Sequence, residues 1–329
     1  MNTRISKGSN KISKISSVLC LPEKEPLGIV YFAHGATEYA ARHAELFQQL
    51  VNAGYIVIAN DHMGHGRSTS KARTYFTGIG DKTGWECAAE DAFNLINITR
   101  EQYPDLPVHA IGFSLGSYLV RFMAMKYHYL FRTVTLIGTS YQTKWKTFLG
   151  KLMAQSECNK YGAMECTDLI DSMSFEKYND YFLDEYDYDD DEDDEDYQEE
   201  FDEDDEYSYP RALWLCADAY ARKEYVEDKK CTDEFTAGLF FELVCAIEYT
   251  CDEKRIARLN GRCPILLLSG TEDASNDFGK GVNELEKIYR KNNLRVRKIF
   301  YKDARHDILH DFCKKKVFKD IVNFLLKNP

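Results

Sequence analysis

A chain of 329 residues, 44% apolar and 29% charged, has the composition of an ordinary globular protein and the length for one large domain or a domain carrying an insertion. Its formal charge of −12 has one source: residues 184–206 hold 18 of the 54 Asp and Glu and no Lys or Arg, which leaves 42 basic against 36 acidic side chains elsewhere. No window approaches the ~18 consecutive apolar residues of a membrane span, so no membrane-spanning helix is expected and a soluble protein is the default.

Ten scattered cysteines form no CxxC pair and no grouping with histidine at metal-ligand spacing, so they read as reduced thiols in a cytoplasmic protein. The N-terminal stretch is basic but lacks the apolar core of a secretory leader. No cofactor, no metal and no nucleic-acid partner are expected, and the oligomeric state is not encoded in any recognisable pattern.

In chain order, the first strand signal is GIVYFAH (28–34), followed by a helical pattern over 41–53 and a second apolar run, YIVIAND (55–61). The loop after the first strand opens with His34-Gly35, which places the Ala36 N–H as a candidate donor to a developing oxyanion. His34 itself reads as a loop brace. NDHMGHGRS (60–68) carries His62 and His65 at H-x-x-H spacing without a third ligand, which favours a tight loop over a metal site. A helix is expected over 84–102.

The most informative stretch is VHAIGFSLGSYLVRF (108–122). Gly112-Phe113-Ser114-Leu115-Gly116 matches G-x-S-x-G between a buried strand and a helix at 115–127, the context that a nucleophile elbow requires. The sharp turn lifts the Ser114 hydroxyl clear of the sheet, and the Leu115 N–H at the helix start is a second candidate oxyanion donor.

Another apolar strand, TVTLIG (133–138), follows, and then strand–helix alternation stops. Residues 141–262 offer helices, loops and the acidic run 184–206, whose like charges repel and predict a solvated, disordered loop. Strands resume at PILLLSG (264–270) and RVRKIFY (295–301), with helices over 277–292 and 311–327. The pattern predicts an α/β fold: a mostly parallel, doubly wound sheet formed by 1–140 and 263–329, with a helical cap (141–262) inserted before the last strands.

A serine nucleophile needs a base, and the base an orienting acid. Past the strand at 264–270, Glu272, Asp273 and Asp277 are candidates for the acid, with Asp273 preferred. His306, five residues after the last strand, is the preferred base; His310 begins the final helical stretch and is assigned to the surface.

These residues together resemble the α/β-hydrolase superfamily, and within it the monoacylglycerol lipase and bacterial lysophospholipase group, also classed as serine aminopeptidase-like (S33-type) hydrolases. HGATEYAARHAELFQQLVNAGYIVIANDHMGHGRS looks like the group's HGxxEHxxRY…DHxGHGxS stretch, and the likeness extends through the elbow to KDARHDIL. The resemblance implies Ser114 as nucleophile, Asp273 as acid, His306 as base, Ala36 and Leu115 as oxyanion-hole N–H groups, and structural roles for Glu38 and the GHGRS turn. The chain departs from the group where Phe113 and Leu115 replace His and Met in the elbow and where Tyr39 replaces His. Phe113 and Tyr39 are therefore substrate-pocket candidates.

The function so implied is a serine hydrolase that cleaves carboxylic esters of monoacylglycerol or lysophospholipid type through an acyl-enzyme. The alternatives are an amide or aminopeptidase-type hydrolase of the same fold and a non-catalytic binding protein that uses its acidic run.

Overall fold

The computed structural model describes residues 2–68, 75–183, 209–231, 235–259 and 261–329. The acidic run lies outside them. Eight strands form one sheet in the order β1-β2-β4-β3-β5-β6-β7-β8. They are β1 (Asn2–Lys7), β2 (Lys14–Cys20), β3 (Gly28–Ala33), β4 (Tyr55–Asn60), β5 (Val108–Phe113), β6 (Thr133–Ile137), β7 (Ile265–Gly270) and β8 (Val296–Tyr301). Strands β3 to β8 pair in parallel, whereas β2 is antiparallel to both β1 and β4.

The near-continuous apolar runs follow from burial on both faces. Along β3, Ile29, Tyr31 and Ala33 enter one core, and Val30 and Phe32 the other. The first core is covered by α2 (Gly84–Gln102), α3 (Leu115–Lys126) and α10 (Lys280–Lys291); the second by α1 (Ala44–Asn52) and α11 (Lys314–Leu326). A capping box starts α2: the Thr83 hydroxyl accepts from the Glu86 N–H, and the Glu86 carboxylate accepts from the Thr83 N–H.

The six strands expected from apolar runs are present, with ends shifted by at most one residue. The hairpin β1–β2 carried no such signal. All six β1 residues are exposed and Ile5 is the one apolar side chain among them, so no apolar run marks it, and Arg4 and Lys7 protect its free edge from further pairing.

Between β6 and β7 the described chain forms α4 (Lys144–Tyr161), α5 (Asp168–Met173), α6 (Phe175–Leu183), α7 (Ala219–Glu227), α8 (Ala237–Thr250) and α9 (Glu253–Ile256). No strand interrupts these helices among the described residues. Helix α8 packs on both α4 and α3, and the Glu242 carboxylate accepts from the Gly84 and Trp85 N–H groups at 3.0 Å, joining the insertion to the start of α2. Across 2–68, 75–183, 209–231, 235–259 and 261–329, no helix is long and apolar enough to cross a membrane.

Candidate active site

Ser114 stands between β5 and α3 with φ 51° and ψ −119°, backbone angles that disfavour every residue but glycine and cost about 1–3 kcal/mol. The flanking glycines make the turn possible. A Cβ on Gly112 would press into the Gly116 carbonyl, and one on Gly116 into the Ala33 carbonyl of β3. The Ser114 N–H is held by the Ile137 carbonyl at 2.9 Å, so the elbow is pinned to β6.

His306 sits beyond the end of β8 and is buried. Its Nδ1 lies 3.0 Å from each carboxylate oxygen of Asp273, which follows β7. Asp273 is also fully buried, and its carboxylate further accepts from the Ser275 N–H and hydroxyl and from Asn276 Nδ2. These donors compensate the buried negative charge. Burial pulls the His306 imidazole toward lower pKa, but the charge and hydrogen bond of Asp273 outweigh it and lift the pKa above the ordinary histidine value. With Nδ1 committed to Asp273, Nε2 is the free nitrogen and has no hydrogen-bond partner among the described residues.

Ser114 and His306 line a common cavity of about 20 Å³ with Ala36, Thr37, Phe113, Trp214 and Tyr225. Among the described residues, neither the Ala36 nor the Leu115 N–H donates to a protein acceptor. The loop carrying Ala36 is braced from several sides. The Gly35 N–H donates to Glu38 Oε1 at 2.5 Å; His34 Nε2 accepts from the His62 N–H at 2.8 Å, which puts the His34 proton on Nδ1, where it reaches the Gly35 carbonyl at 2.7 Å. His62 Nε2 returns a bond to the His34 carbonyl at 3.0 Å. Burial lowers the His62 pKa to about 3 and that of His65 to about 4, so both rings are neutral braces at pH 7.

A buried charge network joins this loop to the histidine loop. Arg42 Nη1 donates to Glu38 Oε2 at 3.0 Å and to Asp307 Oδ2 at 2.6 Å, and His43 Nε2 meets Glu38 Oε1 at 3.0 Å. Burial opposes charge on Asp307, yet His310 and Arg42 beside it hold its carboxyl well below the usual range. His310, assigned to the surface from sequence, instead bonds Asp307 Oδ2 at 2.8 Å and the Arg42 carbonyl at 3.2 Å. The local pattern showed only a helix start; its partner at position 42 is remote in the chain.

The expected residues Ser114, Asp273, His306, Ala36 and Phe113 thus converge, and Leu115 adjoins them in the elbow. Tyr39 does not line the cavity; its hydroxyl donates to Asp228 Oδ2 at 2.6 Å, just past α7. Glu272 and Asp277 take no part, and Asp277 pairs with Lys280 on the surface.

Sequence reasoning missed the walls supplied by the insertion. His306 is sandwiched between Phe113, ring centroids 5.2 Å apart, and Trp214 at 4.9 Å. The Asp307 N–H donates to the Leu215 carbonyl at 2.7 Å, and the Tyr225 hydroxyl lies 2.8 Å from Thr37 Oγ1. The one available signal was the aromatic-rich segment ALWLCADAY, with no local cue to its target.

Gly138 also escaped notice. It has φ +60°, and a Cβ there would lie 2.7 Å from His306 Cε1. Gly138→Ala is expected to displace the imidazole and lower kcat about 10²-fold, as roughly 1 Å of misplacement does. Steady-state kinetics beside a melting curve check this; full activity would show that the ring tolerates the methyl group.

Comparison with known proteins bears on the family and the fold. A family model described as serine aminopeptidase, S33, matches residues 24–312. Over 117 residues the chain is 32% identical to a monoacylglycerol lipase of Mycolicibacterium smegmatis, covering 36% of this chain and 39% of that protein. Over 95 residues it is 30% identical to the monoglyceride lipase of Rattus norvegicus, covering 29% of each. The matched stretches thus span well under half the length of these relatives. The fold likeness is complete: a carboxyl esterase of Bacillus coagulans superposes with a TM-score of 0.83 at 19% identity, covering 99% of this chain and 98% of that one. A monoglyceride lipase of Saccharomyces cerevisiae gives 0.69 at 14% identity, covering 99% and 94%. With its family match running from before β3 to just short of α11, the chain belongs to the serine aminopeptidase S33 family of α/β hydrolases.

Proposed function

We propose that this protein is a serine hydrolase of carboxylic esters, with monoacylglycerol- or lysophospholipid-like compounds as its substrates. The observation that carries the proposal is the buried Asp273–His306 pair, whose free Nε2 borders the cavity that also receives the strained Ser114. In the proposed reaction His306 Nε2 takes the Ser114 proton as Oγ attacks the ester carbonyl. The tetrahedral oxyanion is held by the Ala36 and Leu115 N–H groups, each worth about 10²–10³ in rate. His306 then protonates the leaving alcohol, and a water that it deprotonates releases the acid from Ser114 and restores the enzyme.

Among the described residues lining the cavity, aromatic and aliphatic groups favour an acyl chain over an amino terminus. The one carboxylate there, Glu38, is already engaged by Arg42, His43 and the Gly35 N–H, which leaves it poorly disposed to receive a substrate ammonium group. This supports esters over the aminopeptidase alternative, as do the names of the lipases to which the chain is similar. The cavity of about 20 Å³ holds roughly one water. Residues 141–262 are accordingly assigned the role of a cap whose Trp214 segment moves aside when substrate enters.

Fluorophosphonate labelling followed by peptide mapping tests the nucleophile, and turnover of p-nitrophenyl esters against aminoacyl-p-nitroanilides tests the substrate class. Labelling away from Ser114, or faster anilide than ester cleavage, would sink the proposal. Trp214→Ala is expected to shift the preferred p-nitrophenyl ester toward longer acyl chains, because a large ring leaves the cavity wall. An unchanged chain-length profile would remove Trp214 from the acyl site.

A further inference from the structure

We propose that Ser275 is a positioning residue for His306, its hydroxyl holding the imidazole in the tautomer and orientation that leave Nε2 free to take a proton. The inference rests on the ester-hydrolase reading and adds to it a fourth side chain outside the Ser–His–Asp set.

Ser275 lies in the short 3₁₀ turn Ala274–Asn276 directly after Asp273. Its backbone N–H donates to Asp273 Oδ1 at 3.0 Å, which fixes the turn against the carboxylate. Its Oγ is 2.6 Å from the same oxygen and 2.9 Å from His306 Nδ1. An ionised carboxylate only accepts, so the hydroxyl proton points to Oδ1. That leaves the Oγ lone pairs facing Nδ1, where they accept the ring proton. Both contacts agree on one assignment: Nδ1 carries hydrogen and Nε2 does not.

Asp273 alone would define the ring less well. Its two oxygens are equidistant from Nδ1 at 3.0 Å, so the ring faces the middle of the carboxylate and can pivot toward either. Ser275 adds a third acceptor on one side and, by bonding Oδ1, keeps the carboxylate from turning with the ring. Asn276 restrains the other oxygen, its Nδ2 reaching Asp273 Oδ2 at 2.6 Å and Ser269 Oγ at 2.8 Å. The Ser275 hydroxyl is the only one of these supports that touches both His306 and Asp273. When His306 becomes an imidazolium, its Nδ1–H retains a partner through small motions of the ring.

Ser275→Ala isolates the hydroxyl, because the backbone N–H to Asp273 remains. It is expected to lower kcat for a p-nitrophenyl ester about 10-fold, the order of effect of one hydrogen bond to a charged group. KM and the melting temperature are expected to hold, and Ser275→Thr, which returns a hydroxyl, to recover most of the loss. Unchanged kcat in Ser275→Ala overturns the proposal. So does a loss that threonine fails to recover or one matched by a fall in melting temperature, since either assigns Ser275 to packing. Fluorophosphonate labelling separates the two levels. If wild-type Ser114 is not labelled, the hydrolase reading and this one fail together; if it is labelled at the same rate in Ser275→Ala, only the role of Ser275 fails.

Discussion

Replacing Ser114 by alanine is expected to lower kcat for ester hydrolysis by about 10⁴–10⁶-fold, the range seen when a serine nucleophile that works in concert with its base is removed. Covalent fluorophosphonate labelling is expected to vanish with it. Structure provides no reason for the fold to suffer. The Ser114 side chain caps no helix, and the elbow is held through its backbone, by the Ser114 N–H on the Ile137 carbonyl and by the Ser117 N–H and hydroxyl on the Ser114 carbonyl. A variant with native melting behaviour and wild-type turnover would mean that another nucleophile, or none, carries the reaction.

The second large effect is assigned to Asp273→Asn, for which a fall in kcat of about 10⁴-fold is expected. An amide cannot present two acceptor oxygens. Its NH₂ must face either the Ser275 and His306 donors or the Asn276 amide, and in either orientation the ring loses the negative charge that holds its proton on Nδ1 and stabilises the imidazolium. The pH profile supplies a signed test. Only neutral His306 can act as base, and Asp273 raises its pKa against the opposing effect of burial. In the wild type kcat/KM should therefore rise through an apparent pKa above the ordinary histidine value. In Asp273→Asn the largest opposition to burial is lost, only the weaker pull of Asp307 and Glu38 remains, and this acid limb should move to lower pH. A limb that stays in place would show that the titration belongs to another group.

The buried braces bear on how such variants should be read. Arg42 is nearly out of contact with water and is matched by two carboxylates, Glu38 and Asp307, which both reach its Nη1. Removing it would leave buried negative charge without its cation, a change that typically destabilises by about 3–5 kcal/mol. Loss of activity in Arg42 variants therefore speaks of folding, whereas Ser114 and Asp273 are separable from it by the measurements above.

What could be read from sequence was local. Strands β3 to β8 announced themselves because burial on both faces requires runs such as GIVYFA and ILLLSG, and the elbow because a turn that brings Gly116 against the Ala33 carbonyl admits only glycine. Chain order then limited the base and the acid to a few residues in two loops, from which His306 and Asp273 could be picked. Strand β1, fully exposed, left no trace of that kind.

Tertiary structure alone decided which distant residues meet. Trp214 stands 92 positions before His306 in an aromatic-rich segment with no cue to its target, yet its ring lies 4.9 Å from the imidazole. Tyr39, a pocket candidate by its place in a motif, turns away because Asp228 offers its hydroxyl a partner. His310 is drawn into a half-buried position because the Arg42 carbonyl and Asp307 both reach it. Ser275 acquires its contact with His306 only when the loops after β7 and β8, adjacent parallel strands, end side by side. Periodicity and motif spacing record what a residue needs from its own strand or helix. They carry no record of the partner that packing brings from elsewhere, and in this protein those partners shape the walls of the cavity and the setting of its histidine.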